Sequence, residues 1–408
     1  MQKKLVIVCL INFLVAAIMG LMLRYVFVLP LHDIVKPLPF EFRSLMHAHS
    51  HGAMLGWVYL MLYVLIVHHF IPDKKPVYNR LFWLTEIAVI GMMVSFPFQG
   101  YAAISISFST LHIICSYLFI RLIWKNHKIQ SKPIQLLLKG SLIFMFISTM
   151  GIWCLGPAAA KLGIESAFFQ IAIQFFLHFQ FNGWFMFAVL ALFLHQFHLK
   201  NSKVFQRFFK TLVAATVLTF ALPVSWYAFH PLLLWINGLG VLLQLVTGYY
   251  FILLLRPYWS EFWTKTPKLA KWMYVLALIS FIIKIALQTS SIVPTISKMA
   301  YQYHNFVIGF IHLMMLGVIS GFLFAFLLNS SIVSIKRKTL TFGVYCFIIG
   351  FITTEVLLLI QGLFYYFALG MIPNYYLLLF VSSIFLPLGI LIFTLNILKN
   401  ETKTIKTT

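Results

Sequence analysis

Three histidines stand within five residues in SLMHAHSHGAMLGW, at His47, His49 and His51, directly before an unbroken apolar run. Imidazole is the commonest neutral ligand for iron, copper or zinc, and it also holds haem iron axially. Two other apolar stretches carry the same residue. ESAFFQIAIQFFLHFQFNGWF contains His178, and YQYHNFVIGFIHLMMLG contains His304 and His312. On a helix, His47 and His51 share a face while His49 points roughly the opposite way. At most two of the three can serve one site, and periodicity permits either face.

Gln170, Gln174, His178 and Asn182 recur every four residues, a polar stripe down one helix face. In lipid such a stripe must face protein, water or a cofactor. Lys284 and Glu355 each interrupt an apolar run near its middle. They form either a mutual ion pair or, with Gln170, Gln174 and Asn182, a proton or polar path. Glu86 is expected near enough to a membrane surface to reach water. His230 closes SWYAFHP, His112 stands alone, and His68, His69, His195 and His198 read as interfacial. Cys9, Cys115, Cys154 and Cys346 lie unclustered in apolar runs, with neither a CxxC zinc pattern nor a CxxCH haem attachment, so they read as packing residues.

The elements that must position these side chains are transmembrane helices. The chain has 408 residues, 62% hydrophobic and only 9% charged, a composition no soluble domain of this length shows. Apolar runs of about 20 residues suffice to cross a bilayer core of about 30 Å. They cover roughly 5–29, 44–70, 81–98, 102–124, 136–156, 167–195, 210–229, 232–255, 271–293, 303–328, 339–364 and 374–398. Helix is expected because every backbone polar group in lipid must be satisfied internally. The predicted fold class is therefore all-α: a polytopic membrane protein with twelve transmembrane helices. Residues 1–398 form one twelve-helix domain, and 399–408 a polar, frayed cytoplasmic tail. The first run lacks a cleavage site and reads as a retained span. No short internal repeat is visible.

The net charge of +22 would suit nucleic acid, but its placement points elsewhere. Of the 30 basic residues, 24 fall on alternate loops, beginning with the N-terminus. Lys36, Arg43 and Lys161 lie on the other side, with Lys298 and Arg24 near it. This is the positive-inside pattern. It predicts both termini in the cytoplasm, the histidines in the outer half, and a bilayer rather than a nucleic acid as partner. His51 would lie roughly 12 Å deep and His312 about 14 Å, at 1.5 Å per residue.

Twelve spans with histidines in the second, sixth and tenth resemble subunit I of the haem–copper oxidase superfamily, which includes cytochrome oxidases, quinol oxidases and nitric oxide reductases. HSHGAMLGWVYLML is similar to that family's second span, with His51 the best match and His49 and His47 behind it. FVIGFIHLMMLGVISGFLFAFLL is similar to its tenth span, where His312 falls on the low-spin haem position. His178 falls near the sixth-span copper ligand. The tenth-span high-spin position is Phe310, and the seventh span offers His230 where the family has a histidine pair. The resemblance thus implies a low-spin haem b site kept and a copper and high-spin haem site incomplete, with His178, His304 and His230 as remaining metal candidates. The haem-containing membrane proteins of the nitric-oxide response are a related group.

The function this implies is a haem-binding membrane oxidoreductase moving electrons to oxygen or nitric oxide, in a bacterial cytoplasmic membrane. Its loops are too short to carry an electron donor, so a quinol, a cytochrome or additional membrane subunits would supply electrons. The alternatives are a transporter with a polar path through the bundle and an outward-facing copper or zinc subunit.

Overall fold

The computed structural model describes residues 3–28, 41–330 and 338–405, with side-chain surroundings as far as residue 399. Lys36, Lys336 and Arg337, used above for topology, lie outside the described residues, as does Lys406. Every regular element among those described is helical.

Among the described residues, twelve helices are long and apolar enough to cross a membrane. We number them α1 (Lys3–Tyr25), α2 (Phe42–Phe70), α3 (Pro76–Gln99), α4 (Ala103–Asn126), α5 (Lys132–Leu162), α6 (Ala167–His195), α7 (Lys203–Tyr227), α8 (Pro231–Leu255), α9 (Lys268–Ser290), α10 (His304–Leu328), α11 (Lys338–Tyr366) and α12 (Tyr375–Lys399). Several begin in polar residues before the apolar run. Pro76 and Pro133 stand in the first turn of α3 and α5, where a missing N–H costs nothing. Helical backbone continues past α12 to Ile405, so the polar tail starts as an extension of the last span. Short helices Trp259–Lys265 and Pro294–Gln302 lie between spans.

The twelve helices are not equivalent. In α2, α6 and α10, 78% of the apolar window is buried, against 33–56% in the other nine. These three pack against one another at the centre, and the rest surround them. Each inner helix also departs from α geometry at the same place. A π-helical segment follows directly after His51 (Gly52–Tyr59), after His178 (Phe179–Phe185) and after His312 (Leu313–Ser320). Wide turns of this kind are uncommon and often mark functional positions.

Five residues after each of these histidines stands a glycine pressed against an outer helix. A Cβ on Gly56 would lie 2.9 Å from Val89 and 3.0 Å from Asn12; on Gly183, 2.6 Å from Phe144; on Gly317, 2.5 Å from Ser280. These contacts fall on α1 and α3, on α5, and on α9. Three helices four spans apart thus repeat one motif, H-x4-G, with the π segment opening after its histidine. That corrects the expectation of no internal repeat. Only two residue types recur in the repeat, at separations far longer than any local pattern. Between the π segments, Trp57 Nε1 of α2 donates to Ser320 Oγ of α10 at 2.8 Å, and that hydroxyl donates to Met315 O at 2.7 Å.

Candidate functional site

The three helices present their histidines to different neighbours, not to one shared point. His51, His178 and His312 accordingly enter three different sectors of the bundle, although they match in depth.

His51 turns toward α3 and α4. Its ring lies 4.6 Å from Phe96, its Nδ1 is 2.8 Å from the His47 carbonyl oxygen, and His112 is within its electrostatic reach. His47 packs on the same side, 4.7 Å from Tyr101. Further along this sector Tyr59 meets His112 at 4.7 Å and Trp184 at 5.9 Å. Tyr59 Oη, His112 Nε2 and Trp184 Nε1 are buried without a hydrogen-bond partner.

His49 is rotated by about 200°, two residues at 100° each, and faces α1. Its Nδ1 is 2.8 Å from Ala16 O. Its ring fills the space that Gly20 leaves, where a Cβ would meet His49 Cε1 at 2.8 Å. Helix α10 brings His312 into the same sector, within electrostatic reach of both His49 and Arg24. Glu355 Oε1 of α11 is 3.8 Å from His312 Nδ1, too far for a hydrogen bond, and both atoms are buried and unpartnered. The other carboxylate oxygen, Oε2, lies against Gly309 at ordinary contact distance. Arg24 donates to Ser383 Oγ and reaches Leu379 O at 3.5 Å, both on α12. Asn305 Nδ2 donates to Tyr375 Oη at 2.9 Å across the end of the sector. Nε2 of neither His49 nor His312 has a hydrogen-bond partner among the described residues.

His178 faces α7. Its Nε2 is 2.7 Å from Thr216 O. The polar stripe of α6 runs along this contact, which explains how it is satisfied. Gln170 Nε2 donates back to Ile164 O at 2.9 Å, Gln174 lies against Tyr227, and Asn182 Nδ2 makes a long 3.4 Å bond to His178 O. Beside it, α6, α7, α8 and α9 line a partly open cavity of 30 Å³ with Lys284 and Asn182 in its wall.

Other expectations need correction. Lys284 and Glu355 do not pair: one lines the α6–α9 cavity and the other faces His312. Gln288 bonds to Gln244 at 2.7 Å, and Gln361 holds the turn before α12 through Gly370 O and Ile372 N. Gly370 there has φ +81°, a conformation few other residues adopt. Glu86 does not reach a surface. It is 4% exposed and accepts a 2.8 Å bond from Asn12 Nδ2, which also donates to Gly56 O at 3.2 Å. Only packing shows that Asn12 of α1 is the partner of this carboxylate. His230 caps the start of α8 by accepting from Leu232 N at 3.2 Å, and His304 is exposed at the start of α10. His178, His230 and His304 are not gathered together, and no group of three or more His, Cys, Asp or Glu among the described residues could hold a metal ion. All four cysteines are free thiols.

No protein-family model matches the chain, and no curated protein matches it in sequence.

Proposed function

We propose that this polytopic membrane protein is a haem-binding oxidoreductase, similar in plan to subunit I of the haem–copper oxidases, with haem b held between His49 and His312. The observation that carries the reading is the shared sector: both rings enter it with Nε2 free, while the better sequence match, His51, turns away. The residues present fit such a group. A haem there would supply one-electron chemistry at its iron.

The chain's own residues do the rest. The Ala16 carbonyl accepts from His49 Nδ1–H, which fixes the tautomer and leaves the Nε2 lone pair available. Gly20 admits the ring. Glu355 Oε1 lies 3.8 Å from His312 Nδ1 and would orient that ring in the same way on closing to hydrogen-bond distance. Arg24 places a cation in the sector, suited to an anionic edge of a bound group. The apolar π segments beneath, with Leu313 and Met314 buried, exclude bulk water from the side toward the bundle centre.

In this reading both termini are cytoplasmic, the site lies in the outer half of a bacterial cytoplasmic membrane, and a quinol or partner cytochrome delivers electrons destined for oxygen or nitric oxide. His178 is bonded to backbone and His230 is a helix cap, so copper has no part in it.

The test is a reduced-minus-oxidised visible spectrum of the detergent-purified protein, expressed with ample haem. A bis-histidine haem b signal is expected in the wild type and in His51→Ala, and lost in His49→Ala and His312→Ala. A well-folded but colourless wild type overturns the function. A signal that survives His49→Ala and vanishes in His51→Ala overturns the ligand assignment alone.

A further inference from the structure

The α6–α9 cavity contains a charge without an answer. Lys284 is 5% exposed and lies in the middle of an apolar helix. None of the ion pairs among the described residues includes it, and no aspartate or glutamate lines the cavity. Its Nζ lies 6.0 Å from the Phe281 ring centroid, and His178 is within its electrostatic reach. A buried ammonium left unpaired is costly by several kcal/mol. Such a group either stays neutral or acquires an anion.

The rest of the wall is mostly apolar, with Met186, Leu190, Phe208 and Phe251 in it, and carries a few neutral polar side chains. Thr216, Thr219, Gln244 and Thr247 line it with Asn182. Thr219 and Thr247 spend their hydroxyl hydrogens on backbone carbonyls one turn back, at 2.8 and 2.7 Å, and Gln244 is engaged with Gln288. Thr216 Oγ1 has no such bond among the described residues, and the Asn182 amide is held only by the long contact to His178 O, with Oδ1 unpartnered. An ammonium, a hydroxyl and a loosely held amide thus border one space. At 30 Å³ it admits one or two water-sized species, since one water needs about 10–15 Å³ on this measure. That space suits a halide better than the carboxylate of a metabolite or a phosphate ester.

We infer that Lys284, Thr216 and Asn182 form a binding site for one small monovalent inorganic anion, of halide size, between α6, α7 and α9. The site is separate from the His49–His312 sector and does not depend on the haem reading. The anion completes the pairing of the buried lysine and locks α9 to α6 and α7. Loss of the anion leaves the ammonium exposed to an apolar wall, so the protein is less stable without it.

Equilibrium dialysis of the purified full-length protein against radiolabelled chloride tests the inference, with thermal denaturation at matched ionic strength in chloride, bromide and gluconate. The expected result is saturable binding of one chloride per chain, with stabilisation by chloride and bromide and none by gluconate. Lys284→Met should weaken binding at least tenfold and abolish the halide effect, and Thr216→Val should weaken it less. Absence of saturable binding to the wild type overturns the site, and so does binding that Lys284→Met leaves unchanged. Where Lys284→Met does not fold, the wild-type isotherm and Thr216→Val decide.

Discussion

The sector between α10 and α1 and the sector between α6 and α9 occupy equivalent places in the repeat, yet they carry different chemistry. Each begins at a histidine before a π segment, and each has a glycine five residues on. In the first, the ring faces a second histidine and a carboxylate, and imidazole nitrogens remain free. In the second, the ring is bonded to the backbone of α7, and a lysine stands in place of any carboxylate. The scaffold is thus repeated and the ligands are not. What distinguishes the sectors is the outer helices: α1 and α11 supply Arg24 and Glu355, while α7 and α9 supply Thr216 and Lys284.

The sharpest way to break this comparison is Gly20→Ala. The new methyl meets the His49 ring at 2.8 Å, so the ring must move. Haem loading is expected to fall by about 10–100-fold, the usual scale for disturbing a ligand's support, as read by the haem-to-protein absorbance ratio. The halide effect on stability should be untouched. If both properties fall together, the two sectors are not independent.

A smaller effect tests the shared scaffold. Gly183→Ala and Gly317→Ala each place a methyl within 2.6 Å of Phe144 or Ser280, and overpacking of this kind costs about 1–3 kcal/mol. Gly238→Ala meets nothing within 4 Å and should leave the thermal midpoint where it is. Equal midpoints for all three variants would deny that these glycines set the spacing of the inner helices.

The least change is expected at the paired tryptophans of the repeat. Trp57→Phe removes a donor to Ser320, about 1 kcal/mol. Trp184→Phe removes a donor that has no partner and should cost less in the same denaturation assay.

Much of the fold was legible in the sequence because lipid leaves so few options. Long apolar runs with internally bonded backbones marked all twelve helices, with bounds that extend where polar ends continue the helix and fall short at the ends of α1 and α9. The threefold repeat was present as HGAMLGW, HFQFNGW and HLMMLGV, but two matching positions per unit fall below any local signal. The π segments that give those positions meaning form only when the helices pack.

The site was legible in type and not in arrangement. Residue type and depth singled out His49, His312, Lys284 and Glu355, since an ionisable group in lipid is costly and stays only where something answers it. Sequence resemblance favoured His51, and helical spacing left His49 and His51 both open. The choice between them depends on which neighbour each face meets, and that follows from the rotation of α2 about its own axis within the bundle. Glu86 shows the same limit from the other side: its depth suggested water, while Asn12 of α1 was already there to hold it. Composition and spacing determined what the helices are and which groups they carry. Only the tertiary structure decided which groups meet, because partners on separate helices are set by packing around a common axis and not by separation along the chain.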